Sequence, residues 1–147
     1  MAALTADRKT TCKLSLGFIA VPIADNVKIY DGSRVMIKTD GYLYPSSDAA
    51  NSRGDIGIAR EFYDNTVTGH TAGAKKINVE FGVFEQAIAS TNQATAVGVP
   101  CYASDDQTVK LAGATNFVET GLIVNLNSAT SVDVLIIPFL GQAIAQV

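Results

Sequence analysis

The stretch that decides the fold is Ile77–Phe84, with the sequence INVEFGVF, because a related run recurs later in the chain as Val132–Phe139, VDVLIIPF. The two runs lie 55 positions apart, which is the difference between 132 and 77. Apolar and polar residues alternate along the first run, with Ile77, Val79, Phe81 and Val83 in one set and Asn78, Glu80 and Gly82 in the other. A period of two is typical of a strand with one face in the core, so we predict a strand at both places.

The segments that precede these runs also repeat. Asp55–Ile58 and Glu119–Val124 each carry an acidic residue two positions before a glycine. Further upstream, Val35–Gly41 and Val99–Asp106 each combine a short β-compatible segment with an acidic turn. Strands at even spacing with turn signals between them are typical of a small β-barrel or sandwich. We therefore predict an all-β fold that is built from two similar strand units.

Asp-Gly pairs mark two tight turns in the first unit. Asp31-Gly32 lies between the β-compatible segments Val27–Tyr30 and Val35–Lys38, and Asp40-Gly41 follows the second of them. Because Asp-Gly tolerates the positive φ that a two-residue turn requires, the first pair predicts a hairpin between the two segments. The second pair predicts the next turn.

Two segments lack strand character. Residues 1–13 are polar and basic without an apolar stripe, so they are expected to form an extended N-terminal arm before a single β-barrel-like domain at 14–147. Ser90–Ala96 can form one short helix, with Ser90 or Thr91 as the cap of the free backbone N–H groups.

Length and composition exclude several classes of protein. The 147 residues suit one domain, and the formal net charge of -3 provides no basic surface for phosphate, so nucleic acid is not expected as a partner. No apolar run approaches the ~20 residues of a membrane-spanning helix. Leu14–Ala24 follows basic residues as the core of a secretory signal does, but Asp7 and Pro22 weigh against a signal.

The chain offers no set of residues for catalysis or metal binding. His70 is the single histidine and lies in a Gly/Thr-rich loop, without a GxSxG motif anywhere in the chain. The pair Asp105 and Asp106 lies where a hairpin turn needs such residues. Cys12 and Cys101 have no companion at metal-ligand spacing and are expected to be reduced thiols. We therefore predict a protein that is not an enzyme and has no catalytic residues, metal site or cofactor.

The C-terminal part of the chain indicates an oligomer. Val134–Leu140 is apolar on both faces apart from one proline, and the residues after it are apolar for a terminus. We expect one face of this strand to pack inward and the other against a neighbouring subunit. The predicted interface residues are Leu135, Ile137, Phe139 and Ile144.

Five segments whose motifs are strands and turns carry a resemblance to a known family: Met1–Thr10, Ala24–Ser33, Asp55–Ala59, Ala72–Lys76 and Val99–Val109. Distributed between residues 1 and 109, and so along most of the chain, they resemble the capsid decoration proteins, also called cement proteins, of tailed bacteriophages. The resemblance implies a compact β-domain on the outside of the phage head, assembled in the host cytoplasm.

The resemblance also implies partners. The expected partners are the major capsid protein, whose lattice the protein would stabilise, and further copies of the chain, with a homotrimer favoured over a dimer. An arm can add a strand to an exposed sheet edge of the capsid protein, and we expect Leu4, Arg8 and Lys9 to make this contact. Two alternatives remain open, a phage tail or fibre component and a secreted carbohydrate-binding β-module.

Overall fold

The computed structural model describes residues 3–139, which form eleven strands and one short helix. In chain order these are β1 Cys12–Pro22, β2 Lys28–Ile29, β3 Arg34–Lys38, β4 Leu43–Pro45, β5 Ser52–Ala59, β6 Tyr63–Asp64, β7 Lys76–Ile88, α1 Gln93–Ala96, β8 Pro100–Ala103, β9 Thr108–Lys110, β10 Glu119–Ser128 and β11 Ser131–Ile136. The predicted all-β fold with one short helix is confirmed.

The two predicted strand units have the same pattern of pairing. In the first unit, β3 pairs with both β4 and β5, and β5 pairs with β7. In the second unit, β8 pairs with both β9 and β10, and β10 pairs with β11. The turn at Asp40-Gly41 joins β3 to β4, and the turn at Asp105-Asp106 joins β8 to β9. The repeat in the sequence is therefore a repeat of topology.

Two glycines occupy equivalent positions in the two strand units. A Cβ atom on Gly57 in β5 would overlap the carbonyl oxygen of Glu80 in β7, and one on Gly121 in β10 would overlap the carbonyl oxygen of Leu135 in β11. The residue numbers of the glycines differ by 64 and those of the carbonyl residues by 55, the offsets at which the corresponding segments repeat. Each unit thus needs a residue without a side chain where its third strand approaches its fourth.

Strand β7 joins the two units and closes a barrel. It pairs antiparallel with β11 and parallel with β9, so β7, β9, β8, β10 and β11 form a closed ring of five strands. On the first-unit side, β5, β3 and β4 extend the sheet from β7, and β1 pairs antiparallel with β7 as well. The small sheet of β2 and β6 is separate.

The two faces of β7 serve two different cores. Ile77 and Val79 pack in a cluster with residues of the first unit and of β1, whereas Phe84 lies in the cluster inside the barrel. The sequence predicts Phe81 and Val83 on the buried face, but both are only half-buried. The alternation is correct, but the buried face changes sides along the strand because the strand leaves one core and enters the other.

The predicted hairpin around Asp31-Gly32 is wrong, because β2 pairs with β6 and not with β3. Gly32 does form a turn with a φ of 88°. Its N–H donates to the carbonyl of Ala59 at 2.8 Å, and the carbonyl of Asp31 accepts the N–H of Arg8 at 2.8 Å. Segments distant in sequence therefore take the backbone groups that a hairpin would have used.

The short helix begins one residue later than its predicted caps. Asn92 is the N-cap, with a φ of -141°, and its side-chain oxygen accepts the N–H of Thr95 at 3.0 Å. Neither Ser90 nor Thr91 has this role, so that part of the prediction is wrong. Asparagine is an equally good cap, since its carbonyl oxygen reaches the same backbone donor.

Candidate interaction surface

The described part of the N-terminal arm, residues 3–11, lies along the body of the protein. The N–H of Leu4 donates to a carboxylate oxygen of Asp106 at 2.8 Å. Arg8 donates through its backbone N–H to the carbonyl of Asp31 at 2.8 Å, and through Nη1 to Oε1 of Gln107 at 3.1 Å. These bonds connect the arm to an acidic turn of the second unit and to a turn before the first unit.

Near its C-terminal end the arm is bound to the body through a buried residue. Thr10 is buried, and its hydroxyl donates to the carbonyl of Gly32. The carbonyl of Thr11 accepts the N–H of Glu85 at 3.0 Å, which leads the chain into β1. A Cβ on Gly32 would overlap the carbonyl oxygen of Arg8, so the close approach of arm and turn depends on glycine at this position.

The three arm residues predicted to contact the capsid protein differ in exposure. Leu4 and Arg8 are partly covered by the body, whereas Lys9 is exposed. A cleft of about 350 Å³ opens beside them and is lined by Asp7, Arg8, Lys9, Asp31 and Arg60. The arm thus presents a mixed-charge surface with Lys9 as its most accessible cation.

The acidic turn that receives the arm is stabilised by Asp105. One of its carboxylate oxygens accepts the N–H of Gln107 at 3.0 Å and the N–H of Thr108 at 2.8 Å, as the turn interpretation predicts. Burial raises the pKa of Asp106, and the charge of Asp105 acts in the same direction, while the N–H of Leu4 lowers it. The contact with the arm therefore supports the ionised form of a buried carboxyl.

A buried arginine connects the two units beneath this turn. Arg34 is fully buried and donates through Nε to Asp55 at 2.7 Å. Its other nitrogens donate to the side-chain oxygen of Gln86 and to the carbonyls of Asp105 and Thr108. One guanidinium from the first unit thus bonds β7 and the turn of the second unit.

The partner carboxylate, Asp55, is also fully hydrogen-bonded. The hydroxyl of Ser46 donates to it at 2.5 Å, and the hydroxyl of Thr120, from the second unit, donates at 2.6 Å. Burial raises the pKa of Asp55, whereas the charge of Arg34 and both hydroxyls lower it. Because each nitrogen of the Arg34 guanidinium and each carboxylate oxygen of Asp55 has a hydrogen-bond partner and solvent does not reach either group, this network serves to hold the units together.

Strand β1 exposes the largest apolar side chains of the sheet. Leu14, Leu16, Phe18 and Ile19 are 53 %, 50 %, 57 % and 37 % exposed. None of them is among the predicted interface residues. The signal in the sequence was the apolar run Leu14–Ala24, which contains no ionisable side chain and which we weighed only as the core of a secretory signal.

The predicted interface residues of the C-terminal strand that the structure describes lie outside the core of the barrel. Leu135 and Ile137 are half-buried, and Phe139 is 41 % exposed with a φ of 63°. Ile144 lies outside the described residues. Ile136, between the first two, is fully buried inside the barrel, in accord with the expectation that one face of this strand packs inward.

A second exposed feature joins equivalent loops of the two units. Asp48, between β4 and β5, accepts Nζ of Lys110 at 2.9 Å and the N–H groups of Thr115 and Asn116 at 2.8 and 2.7 Å, all in the segment that leads from β9 to β10. These donors lower the pKa of Asp48 to about 2. The adjacent Phe117 is 63 % exposed and has a φ of 51°.

The remaining candidate residues are the single histidine and the two cysteines. The ring of His70 stacks on Tyr63, with centroids 5.8 Å apart, and its Nδ1 lies 3.3 Å from the carbonyl of Asp64. Cys12 and Cys101 are free thiols, as predicted. Burial raises the pKa of Cys101 to about 12, which makes this thiol unreactive at neutral pH.

Within residues 3–139, no three His, Cys, Asp or Glu side chains come together in a way that could hold a metal ion. The described part of the chain also contains no helix that is long and apolar enough to cross a membrane. Neither a family model nor a curated protein sequence matches the chain.

Proposed function

We propose that this chain is a structural virion protein of a bacteriophage, which binds the outer surface of the head and stabilises the lattice of the major capsid protein. The observation that carries the proposal is the exposed strand β1, which has no charged residue after Lys13 and which a protein that acts as a free monomer in water would not be expected to leave uncovered. The sequence resemblance to decoration proteins names the assembly to which such a surface would belong.

The surface that residues 3–11 of the arm present supports the proposed contact with the capsid protein. Residues 3–11 are held against the body at both ends, so they present a defined surface with Lys9 exposed at its centre. A fixed surface loses less conformational entropy on binding than a flexible segment does. Many copies on one lattice also add their individually modest affinities.

The fold suits a mechanical role. The closed barrel has no free edge within its ring, and the buried Arg34 network connects it to the first unit. Such a body can hold neighbouring capsid subunits in register without changing shape. The protein is expected to act as a homo-oligomer, and the resemblance favours a trimer.

The test is binding to expanded heads that lack the protein. Purified protein should sediment with the heads in a saturable manner and raise the temperature or chelator concentration at which they break. Lys9→Glu should weaken this binding at least tenfold, whereas Lys76→Glu, a charge reversal at another exposed lysine, should leave it unchanged.

Two results would contradict the proposal in different ways. Wild-type protein that neither binds heads nor protects them would exclude the decoration role, and micrographs that show it on the tail would favour a tail component. Equal binding by the two variants would leave the role intact but exclude the arm as the contact.

A further inference from the structure

Strand β1 is paired along one edge only. Nine of its eleven residues pair with β7. The register shifts at Lys13 and at Leu16 and is then regular from Gly17 opposite Phe81 to Pro22 opposite Lys76. Among residues 3–139, no strand pairs with the opposite edge of β1. The backbone N–H and C=O groups along that edge are therefore available to another strand.

From Gly17 to Val21, where its register with β7 is regular, the edge of β1 lacks the features that normally prevent pairing between molecules. Edge strands of soluble proteins are usually short or carry lysine, proline or an inward charge near the middle. In β1 such residues occur only at the ends, as Lys13 and Pro22, and nothing ionisable lies between them. The exposed side chains of Leu14, Leu16 and Phe18 form an apolar surface on the order of a few hundred Å², the size that marks interaction sites.

The charges that flank β1 indicate what covers it. Lys13 lies at its beginning and Asp25 lies three residues beyond its end, and both are exposed. Within the described part of the chain, neither takes part in an ion pair. If a second β1 pairs antiparallel with the first, each Lys13 approaches the partner subunit's Asp25, whereas a parallel pair would bring like charges together.

We propose that two copies of this chain associate through antiparallel pairing of their β1 strands. The midpoint between positions 13 and 25 is 19, so the two-fold axis passes near Ile19. The pairing joins the two sheets into one and places apolar side chains of the two strands beside each other as cross-strand neighbours. It rests on the homo-oligomer in the proposed function and specifies a two-fold contact, so the favoured trimer would need a different surface.

The test is the oligomeric state of the full chain, measured by sedimentation over a range of concentrations. Wild-type protein should be a dimer at micromolar concentration. Phe18→Lys should weaken the dimer at least tenfold, because it places two like charges near the two-fold axis. Val67→Lys is the matched control, since Val67 is 49 % exposed but lies in a loop, and it should leave the dimer unchanged.

A second measurement tests the register. In a Cys12→Ser background, Ile19→Cys should form an intermolecular disulfide under mild oxidation, and Val67→Cys should not. A wild-type monomer, a dimer that resists Phe18→Lys, or equal cross-linking at both positions would overturn the inference.

Head binding separates this inference from the proposed function. A dimer that shows all the expected effects but ignores heads would refute the decoration role and keep the β1 pair. A monomer that binds heads, and loses this binding with Phe18→Lys, would mean that β1 receives a strand of the capsid protein and would overturn self-pairing.

Discussion

The strands of the two units pair in the same order, but the second unit closes into a barrel and the first unit remains an open sheet. The second unit closes on β7 through β9 and β11, so its backbone groups are consumed within the barrel. The first unit remains an open sheet, and β4 ends it on one side. The surfaces proposed for assembly lie along β1 and the arm, outside the closed ring. The repeated strand pairing therefore builds the body of the protein, and we expect interactions along β1 and the arm, which the closed ring does not include.

The core of the barrel and the contact between the two units also differ in the side chains that they bury. The core inside the barrel is apolar, whereas the contact between the units contains the Arg34 network. A buried ion pair contributes little net stability compared with apolar packing, but it is costly to break on one side. The network therefore fixes how the open unit sits on the closed one.

The largest expected effect comes from breaking this network. Arg34→Met should lower the free energy of unfolding by about 3–5 kcal/mol, because it leaves Asp55 buried without its cation. Arg60→Met is the control. Its pair with Glu80 is closer to solvent, and its loss should cost about 1 kcal/mol. Denaturation by urea measures both values, and a smaller loss for Arg34→Met than for Arg60→Met would contradict this role.

The equivalence of the units can be tested at their glycines. Gly57→Ala and Gly121→Ala should each lower the free energy of unfolding by about 3 kcal/mol, because the new methyl group meets a carbonyl oxygen of the neighbouring strand. Gly41→Ala, in an open turn with a φ of 84°, should cost only about 1 kcal/mol, since the strain is confined to the backbone. A large loss at one of the two strand glycines alone would show that the units do not use them in the same way.

The smallest effect concerns the loops that connect equivalent strands. The pKa of Asp48 is lowered from 3.8 to about 2, so its contribution to stability is complete above pH 4 and disappears as the pH falls through 2. Asp48→Asn should therefore lower the free energy of unfolding by about 1 kcal/mol at pH 7, after allowance for solvent screening, and by nearly nothing at pH 2.

Asp25→Asn provides the comparison for this pH dependence. Asp25 is exposed and has no ion pair among residues 3–139, so dilute samples of this variant should unfold like the wild type. A difference between Asp48→Asn and wild type that persisted unchanged at pH 2 would exclude the carboxylate as its source.

The fold was predictable where the signal was local. The alternation of Ile77–Phe84, its recurrence at Val132–Phe139 and the turn at Asp40-Gly41 all depend on neighbours in sequence. The structure confirms both strands and that turn, although the second strand ends at Ile136. The hairpin at Asp31-Gly32 failed because Ala59 and the arm, distant in sequence, bind that turn. Local turn chemistry cannot indicate which segment takes a free backbone group.

The candidate surface was less predictable. The sequence indicated an apolar segment at Leu14–Ala24 but gave no reason to expect that β1 would lie at the side of β7 with one edge unpaired. It also placed oligomer contacts at Leu135 and Ile137, which are half-buried outside the core of the barrel. Burial of a strand depends on which strands flank it, and periodicity alone reports only that its two faces differ.

By itself the sequence determined the class of fold, the number of repeated units and the positions of the glycines and acidic turns, because these follow from side-chain spacing and from backbone conformations that few residues adopt. Only the tertiary structure decided that β7 serves two cores, that Arg34 is buried between the units and that β1 keeps a free edge. Those features depend on contacts between residues far apart in the chain, whose free energies appear only once the strands have been brought together.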